Sequence, residues 1–403
     1  MIRYFLIASL LLSATNALGD EINGLNSRAI DISVSFSASR GQHGVTFVSL
    51  DTESRPNGIV IQSRYTDIDF DEWIACTTTI PLPPSARQVS HPAFSSSGWL
   101  FVSASANATP SSDNWRLYAA RHSERSGQCE GWSTWTDLGH FPGRPVNSAP
   151  DAIVAYGDYT YVFISDREGY IDYRMFDSDT RPTRNSNQRW SDWRSLAAIN
   201  QTDRRQYLAA SKPAVAIYND GVERFHVFWH DVSHRRIHHV TGIVSIAGQL
   251  VETPPDSRPF HNNLAARTAC SAGPEITKPS PLFVVCGNTR FNTTSEYSIA
   301  HYRNPRSTWA GTSVVWESRG AYGGFTAPSL GRTFLAASLP FMFVTFGETY
   351  CPEPTLRPPL PPRLSSTCTQ PGPWAIQNRY STLLSVGWER RTYESPARAG
   401  RLY

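Results

Sequence analysis

Six apolar residues give the chain a common frame of alignment: Ile61, Leu117, Ile171, Ile237, Ile299 and Ile376. In that frame Arg64, Arg174 and Arg379 fall three residues later, and Arg121 and Arg303 fall four later. Tyr173, His239 and His301 share the position two residues on. Trp190 and Trp193 follow one of these runs as a Trp-x-x-Trp pair, as Trp132 and Trp135 follow another. A guanidinium beside an aromatic ring supplies what a sugar requires. The ring offers a flat apolar surface to the C–H face, and the guanidinium offers planar donors to the hydroxyls. Because the pattern recurs, it predicts several similar binding sites rather than one. Packing is the competing role for the same residues. The paired tryptophans are expected to join neighbouring sheets, with arginines stacked on them or paired with Asp137 and Asp192. If Arg174 serves binding, its replacement by alanine weakens that binding without unfolding the protein.

Catalysis makes different demands. A glycoside hydrolase needs two carboxylates at a defined separation. Glu72, Glu223, Glu317 and Asp231 are candidates to face an internal axis, yet no spacing singles out an acid and a base. His230, Asp231 and His234, with His238 and His239 nearby, form the densest histidine cluster; they are expected to lie along a hairpin rather than converge on a metal. Ser165-Asp166-Arg167-Glu168-Gly169 reads as a turn, not as a sialidase box. No serine or cysteine nucleophile arrangement stands out. The expectation is therefore no catalytic residue, no metal ligand, no calcium requirement and no cofactor. A propeller glycoside hydrolase with an axial carboxylate site and a non-enzymatic protein-interaction platform are the alternative functions.

The elements that would position these residues are visible as a repeat. From Ala149 the chain runs Ala-Pro-Asp-Ala-Ile-Val-Ala-Tyr, turns at Gly157-Asp158, continues from Tyr159 to Ile164, and turns again before Tyr170 to Phe176. Trp190 to Leu196 then supplies a fourth run. Short β-branched and aromatic runs between Gly/Asp/Asn/Ser turns read as strands joined by hairpins. Equivalent starts at Ser33, His91, Ala149, Lys212, Gly273 and Ala327 lie 54 to 63 residues apart. A unit with two apolar faces cannot bury both alone, so neighbouring units must stack, and closing the stack around an axis removes exposed sheet edges. The expected fold class is all-β: a six-bladed β-propeller of four-stranded antiparallel blades over residues 18–394.

The beginning and end of the sequence carry further signals. Met1 to Ala17 has one positive charge, a short apolar run and small residues at Thr15 and Ala17, the parts of a secretory signal peptide. The run is too short to span a bilayer, which needs roughly 20 residues, so no transmembrane segment is expected. Export predicts an extracellular or periplasmic protein whose six cysteines form disulfides. Spacing favours Cys270 with Cys286 and Cys351 with Cys368, leaving Cys76 with Cys129. Between Cys351 and Cys368 a proline-rich stretch is expected to form a stiff polyproline II loop (352–371). Residues 395–403 read as a flexible tail. The 37 basic and 34 acidic residues leave a net charge of +3 with no basic block, which argues against nucleic acid as a partner. All but two of the basic residues are arginine, Lys212 and Lys278 being the exceptions. Homo-oligomerisation is compatible with the sequence but not indicated by it.

The unit Ser148-Ala149-Pro150, Tyr161-Val162-Phe163, Gly169-Tyr170-Ile171-Asp172-Tyr173-Arg174, Trp190-Ser191-Asp192-Trp193 resembles the repeat of the PLL-like bacterial β-propeller lectins. More distantly it resembles the fucose-binding fungal propeller lectins. The resemblance is clearest from His91 to His239. It implies glycans or glycoconjugates as partners, bound in shallow pockets between blades. On this reading Arg64, Arg121, Tyr173, Arg174, Trp190, His239, His301, Arg303 and Arg379 are the candidate ligand-binding residues.

Overall fold

The computed structural model describes the backbone of 30–37, 42–50 and 57–66. It continues through 72–253 with short gaps, and through the strands of 271–382. Side chains are described at Val48, at Leu50, at 57–61 and over most of 77–253. The expected leader (1–17), the proline-rich loop and the tail lie outside the described residues, as do Arg303, Cys129, Cys270, Cys351 and Cys368.

The described residues form six antiparallel sheets, each from one segment of the chain. Sheet 1 contains β1 (Ile30–Ser37), β2 (Gln42–Leu50), β3 (Gly58–Thr66) and β4 (Glu72–Pro81). Sheet 2 contains β5 (Gln88–Val89), β6 (Ala93–Phe94), β7 (Trp99–Ser105), β8 (Arg116–Arg121) and β9 (Thr136–Gly139). Sheet 3 contains β10 (Asp151–Ala155), β11 (Tyr159–Ser165), β12 (Ile171–Asp177) and β13 (Arg194–Ser195). Sheet 4 contains β14 (Ala214–Asn219), β15 (Glu223–His230), β16 (Ile237–Val244) and β17 (Leu250–Glu252). Sheet 5 contains β18 (Ser271–Gly273), β19 (Leu282–Arg290), β20 (Thr294–Tyr302) and β21 (Gly311–Glu317). Sheet 6 contains β22 (Tyr322–Phe325), β23 (Ser329–Gly331), β24 (Phe341–Tyr350) and β25 (Trp374–Thr382).

Strands pair antiparallel in chain order within each sheet, except where the first strand is split in two. In sheet 2 the first strand is split: β5 and β6 both pair with β7, on either side of His91-Pro92. Proline has no N–H to give to a ladder, so the strand breaks there. β22 and β23 divide in the same way along β24, with Pro328 in the break. The first strands lie beside one another in chain order: β1 by β6, β6 by β10, β10 by β14, β14 by β18, β18 by β23, and β23 by β1 again.

Apolar side chains from facing sheets form the cores. Val48, Leu50, Ile59 and Ile61 of sheet 1 meet Phe94, Leu100 and Val102 of sheet 2. Phe101, Leu117 and Ala119 from the opposite face of sheet 2 meet Ala152, Val162 and Ile164 of sheet 3. Tyr161, Phe163 and Ile171 meet Val215, Phe225, Val227 and Val240 of sheet 4. Alternation along each strand assigns successive residues to successive seams.

Polar groups fasten the seams as well. Between sheets 3 and 4, the hydroxyls of Tyr156, Tyr159 and Tyr161 donate to the carbonyls of Val244, Ile246 and Gly248 at 3.0, 3.0 and 2.8 Å. Gly248 needs its small size there. Its φ is +71°, and a Cβ would come within 2.7 Å of Tyr159 and 2.8 Å of Met175 Sδ. Glu223 is buried in this seam, accepting the N–H of Tyr156 at 2.6 Å, so its described partner comes from a neighbouring sheet.

The fourth strands are shorter than the expected runs: β9 begins after Trp135 and β13 after Trp193, while Trp132 and Trp190 are joined to His122 and Phe176 by isolated antiparallel bridges. The fourth run expected for sheet 6, at Trp388, lies outside the described residues. Among the described residues, no helix is long and apolar enough to cross a membrane.

Candidate functional site

The expected third strands are β3, β8, β12, β16, β20 and β25, and the frame seen in the sequence reappears as ladder register. Arg64, Arg174 and Arg379 each pair across the ladder with a valine, namely Val45, Val162 and Val344. Tyr173, His239 and His301 each pair with a phenylalanine, namely Phe163, Phe228 and Phe283. Cys76 and Cys286 stand on β4 and β19; their side chains, like those of Arg64, His301 and Arg379, lie outside the described residues.

Three candidates converge between sheets 2 and 3. Arg121 ends β8, with its guanidinium carbon 5.5 Å from both the Trp99 and the Phe176 ring centroids. Trp190 meets Trp99 edge-on at 5.1 Å and Phe176 at 5.2 Å. Arg174 lies over Trp190 and Trp193, 5.9 Å from each. Two guanidinium groups and three indoles therefore meet where two sheets adjoin. Arg121, Trp190 and Trp193 are all only partly buried. Each cation held over a ring at this range gains roughly 0.5–2 kcal/mol.

Arg174 is heavily engaged. Its Nε donates to the Ser191 carbonyl at 2.7 Å and its Nη1 to the Leu138 carbonyl of sheet 2 at 2.9 Å. Burial lowers its pKa, while nearby Asp192 works in the opposite direction. It fastens the seam as well as facing it.

The Trp-x-x-Trp segments make the same contacts twice. Trp193 Nε1 donates to Leu138 O at 2.9 Å, and Trp135 Nε1 donates to Pro81 O at 2.8 Å. Ser191 Oγ accepts the Met175 N–H as Ser133 Oγ accepts that of Arg121. Trp132 sits between Phe94 and His122, at 6.0 and 5.2 Å, and its buried indole N–H has no acceptor among the described residues.

The remaining candidates are placed differently. Tyr173 is buried against Phe163 at 5.4 Å, and burial raises its pKa. His239 stacks on Phe228 at 4.4 Å, and its Nε2 shares a hydrogen bond with His226 Nδ1 at 2.8 Å. Burial holds His239 down to about 3 and His226 well below its ordinary value, so the pair is neutral at physiological pH. His238 turns to the other face and stacks on Trp229, so adjacent histidines in β16 do not converge. Among the described residues no group of three or more potential metal ligands occurs. Asp137 pairs with Arg116 at 2.8 Å.

Sequence reasoning missed one polar cluster beside this seam. Arg144, in the connector from β9 to β10, reaches Asp166 at 3.1 Å and Asp172 at 2.7 Å, and it also donates to Ser195. Both carboxylates are 0 % exposed. Burial raises Asp166, and it raises Asp172 to about 7. The turn at Asp166 was legible: its Oδ1 accepts the N–H groups of Glu168 and Tyr170. The partner 28 residues away from Asp172 was not.

No family model matches the chain, and no curated protein matches it. Solved structures with a similar course of the chain include the BP39L lectin from Burkholderia pseudomallei, with 13% identity, a TM-score of 0.47 and coverage of 90% of this chain and 97% of that one. The Aleuria aurantia lectin AAL, a mutant in complex with Fucalpha1-6GlcNAc, has 10% identity, a TM-score of 0.41 and coverage of 89% and 98%. An N-acetylgalactosamine deacetylase from F. plautii, bound to blood group B trisaccharide, has 12% identity, a TM-score of 0.42 and coverage of 75% and 92%. At such low identity none of these chains lends a residue assignment to this one.

Proposed function

We propose that the chain is an exported six-bladed β-propeller that binds carbohydrate in grooves between adjacent blades, without altering it chemically. The reading rests chiefly on the convergence of Arg121, Trp190 and Trp193, with Arg174 behind them, between sheets 2 and 3. Indole surface for a C–H face and a guanidinium for hydroxyls are the two halves of sugar recognition. The cyclic order of contacts among β1, β6, β10, β14, β18 and β23 supports a closed ring of six blades. An oxidising destination would pair the six cysteines.

Probing a glycan array with the purified protein tests this reading. The expected result is binding to a defined subset of glycans, competed away by a free monosaccharide, with the bound glycan recovered intact. Binding to none, or recovery of a cleaved glycan, overturns it.

A further inference from the structure

On β12, Asp172, Arg174 and Phe176 project to one face, toward sheet 2. Phe176 and Arg174 belong to the groove just described. Asp172 anchors the connector that enters sheet 3 from sheet 2. That connector is laid along the Asp166 turn: Arg167 N donates to Pro145 O at 3.0 Å, Asn147 N to Ser165 O at 2.9 Å, and Val146 bridges Asp166.

The polar groups there leave an imbalance. Arg144 is the charged group facing the two carboxylates from the connector, and it is 13 % exposed. His140 occupies its Nδ1 with Phe141 O. From the turn, Glu168 and Tyr170 contribute backbone N–H groups, while the Arg167 and Glu168 side chains are exposed. From β13, Ser195 donates its hydroxyl to Asp172 Oδ1; the neighbouring Arg194 engages Tyr173 instead. Arg174 is committed to carbonyls. One guanidinium thus faces two wholly buried carboxyl groups: Oδ2 of Asp172 has no hydrogen-bond donor, and Oδ2 of Asp166 stands 3.1 Å from Arg144 Nε as an ion pair without hydrogen-bond geometry. Arg144 contacts both carboxyl groups, and each of them perturbs the other's protonation. A buried acceptor without a donor is costly, and two facing acceptors are satisfied together by one proton.

We infer that Asp166 and Asp172 share a single proton, which with Arg144 forms a pH-sensitive latch tying the connector to sheet 3 beside the groove. The latch would regulate the site proposed above, but its existence does not depend on a sugar being bound. Below neutrality the pair carries one negative charge, matched by Arg144. Above it the proton leaves, and two buried carboxylates confront one cation. Asp172 is raised to about 7, so this stabilisation is complete below the ordinary carboxylate range and is lost as pH rises through about 7.

The test is hydrogen exchange at the Arg144, Asn147 and Arg167 amides of the full chain between pH 6 and 9, corrected for intrinsic rates. The wild type is expected to lose about tenfold protection or more across that range, whereas Asp172→Asn, whose amide supplies the missing donor permanently, keeps it. Carbon-13 titration of the wild-type carboxyl groups gives a readout independent of any variant: one group titrates near neutrality. Constant wild-type protection, or both carboxyls titrating at about 4, overturns the latch. Probing the glycan array at pH 6 and pH 9 in parallel separates the two proposals. A titrating latch with no array glycan bound at either pH sinks the carbohydrate reading alone.

Discussion

The indole N–H of Trp193 donates to the carbonyl of Leu138 at 2.9 Å, so a residue preceding the fourth strand of one sheet caps the fourth strand of its neighbour. Trp135 does the same to Pro81 one seam earlier. The repeated Trp-x-x-Trp is thus first a joint between sheets, and the joint holds its partly buried rings in place. Trp193→Phe keeps most of the apolar contact and removes the donor. It is expected to cost about 1 kcal/mol, read as a shift in urea midpoint. Trp135→Phe should cost a similar amount, and the double variant the sum, because the two joints share no partner.

Arg121 and Arg174 differ in what they hold. Arg174→Ala removes two hydrogen bonds to carbonyls and should destabilise the protein by about 2 kcal/mol, in addition to any effect on binding. Arg121→Ala removes a guanidinium placed over Trp99 and Phe176 and should weaken glycan binding. Chemical unfolding of both variants beside a binding titration separates stability from binding; unchanged binding in Arg121→Ala would refute its share.

The tyrosine seam between sheets 3 and 4 supports a graded series. Tyr161→Phe, at a fully buried hydroxyl, should cost about 1 kcal/mol or more, and Tyr156→Phe, at an exposed ring, less. Gly248→Ala should exceed both. It meets Tyr159 and Met175 at under 3 Å in a left-handed backbone conformation, worth about 1–3 kcal/mol of strain. Thermal unfolding ranks the three.

Acid stability follows from the half-buried imidazoles of His91 and His239. Burial lowers His91 to about 4, with Lys212 adding to the effect, and lowers His239 to about 3. The folded protein keeps these rings neutral while the unfolded chain protonates them near their ordinary value. Their contribution is therefore complete above about pH 6.5 and is lost as pH falls toward 4, amounting to a few kcal/mol in order of magnitude. Asp172 acts with the opposite sign over much of the same range. A falling melting temperature from pH 7 to 4.5 is expected, less steep in His91→Gln. A flat profile in both proteins would contradict the assignment.

Much of this architecture was legible in the chain because each strand carries its own pattern. The frame on Ile61, Leu117, Ile171, Ile237, Ile299 and Ile376 marked the third strands, and the valine and phenylalanine partners across the ladders follow from it. The site was legible only in part. Arg121 and Arg174 stand one position apart in the frame, hence on opposite faces of their strands, yet they meet because their faces look into one seam from opposite sides. Tyr173 shares the repeat but points to a core, which spacing alone does not reveal. The contacts of Arg144 with Asp166 and Asp172 follow no spacing that the repeat displays. These residues are joined only by the way a connector folds back onto a turn.

The most direct measurement is a calorimetric titration of one array-positive glycan into the wild type, Arg121→Ala and Tyr161→Phe. If sugar occupies the seam between sheets 2 and 3, Arg121→Ala loses heat of binding or a fraction of the sites, while Tyr161→Phe, in the adjoining seam, titrates like the wild type. Identical isotherms for the wild type and Arg121→Ala would contradict the placement of the ligand there.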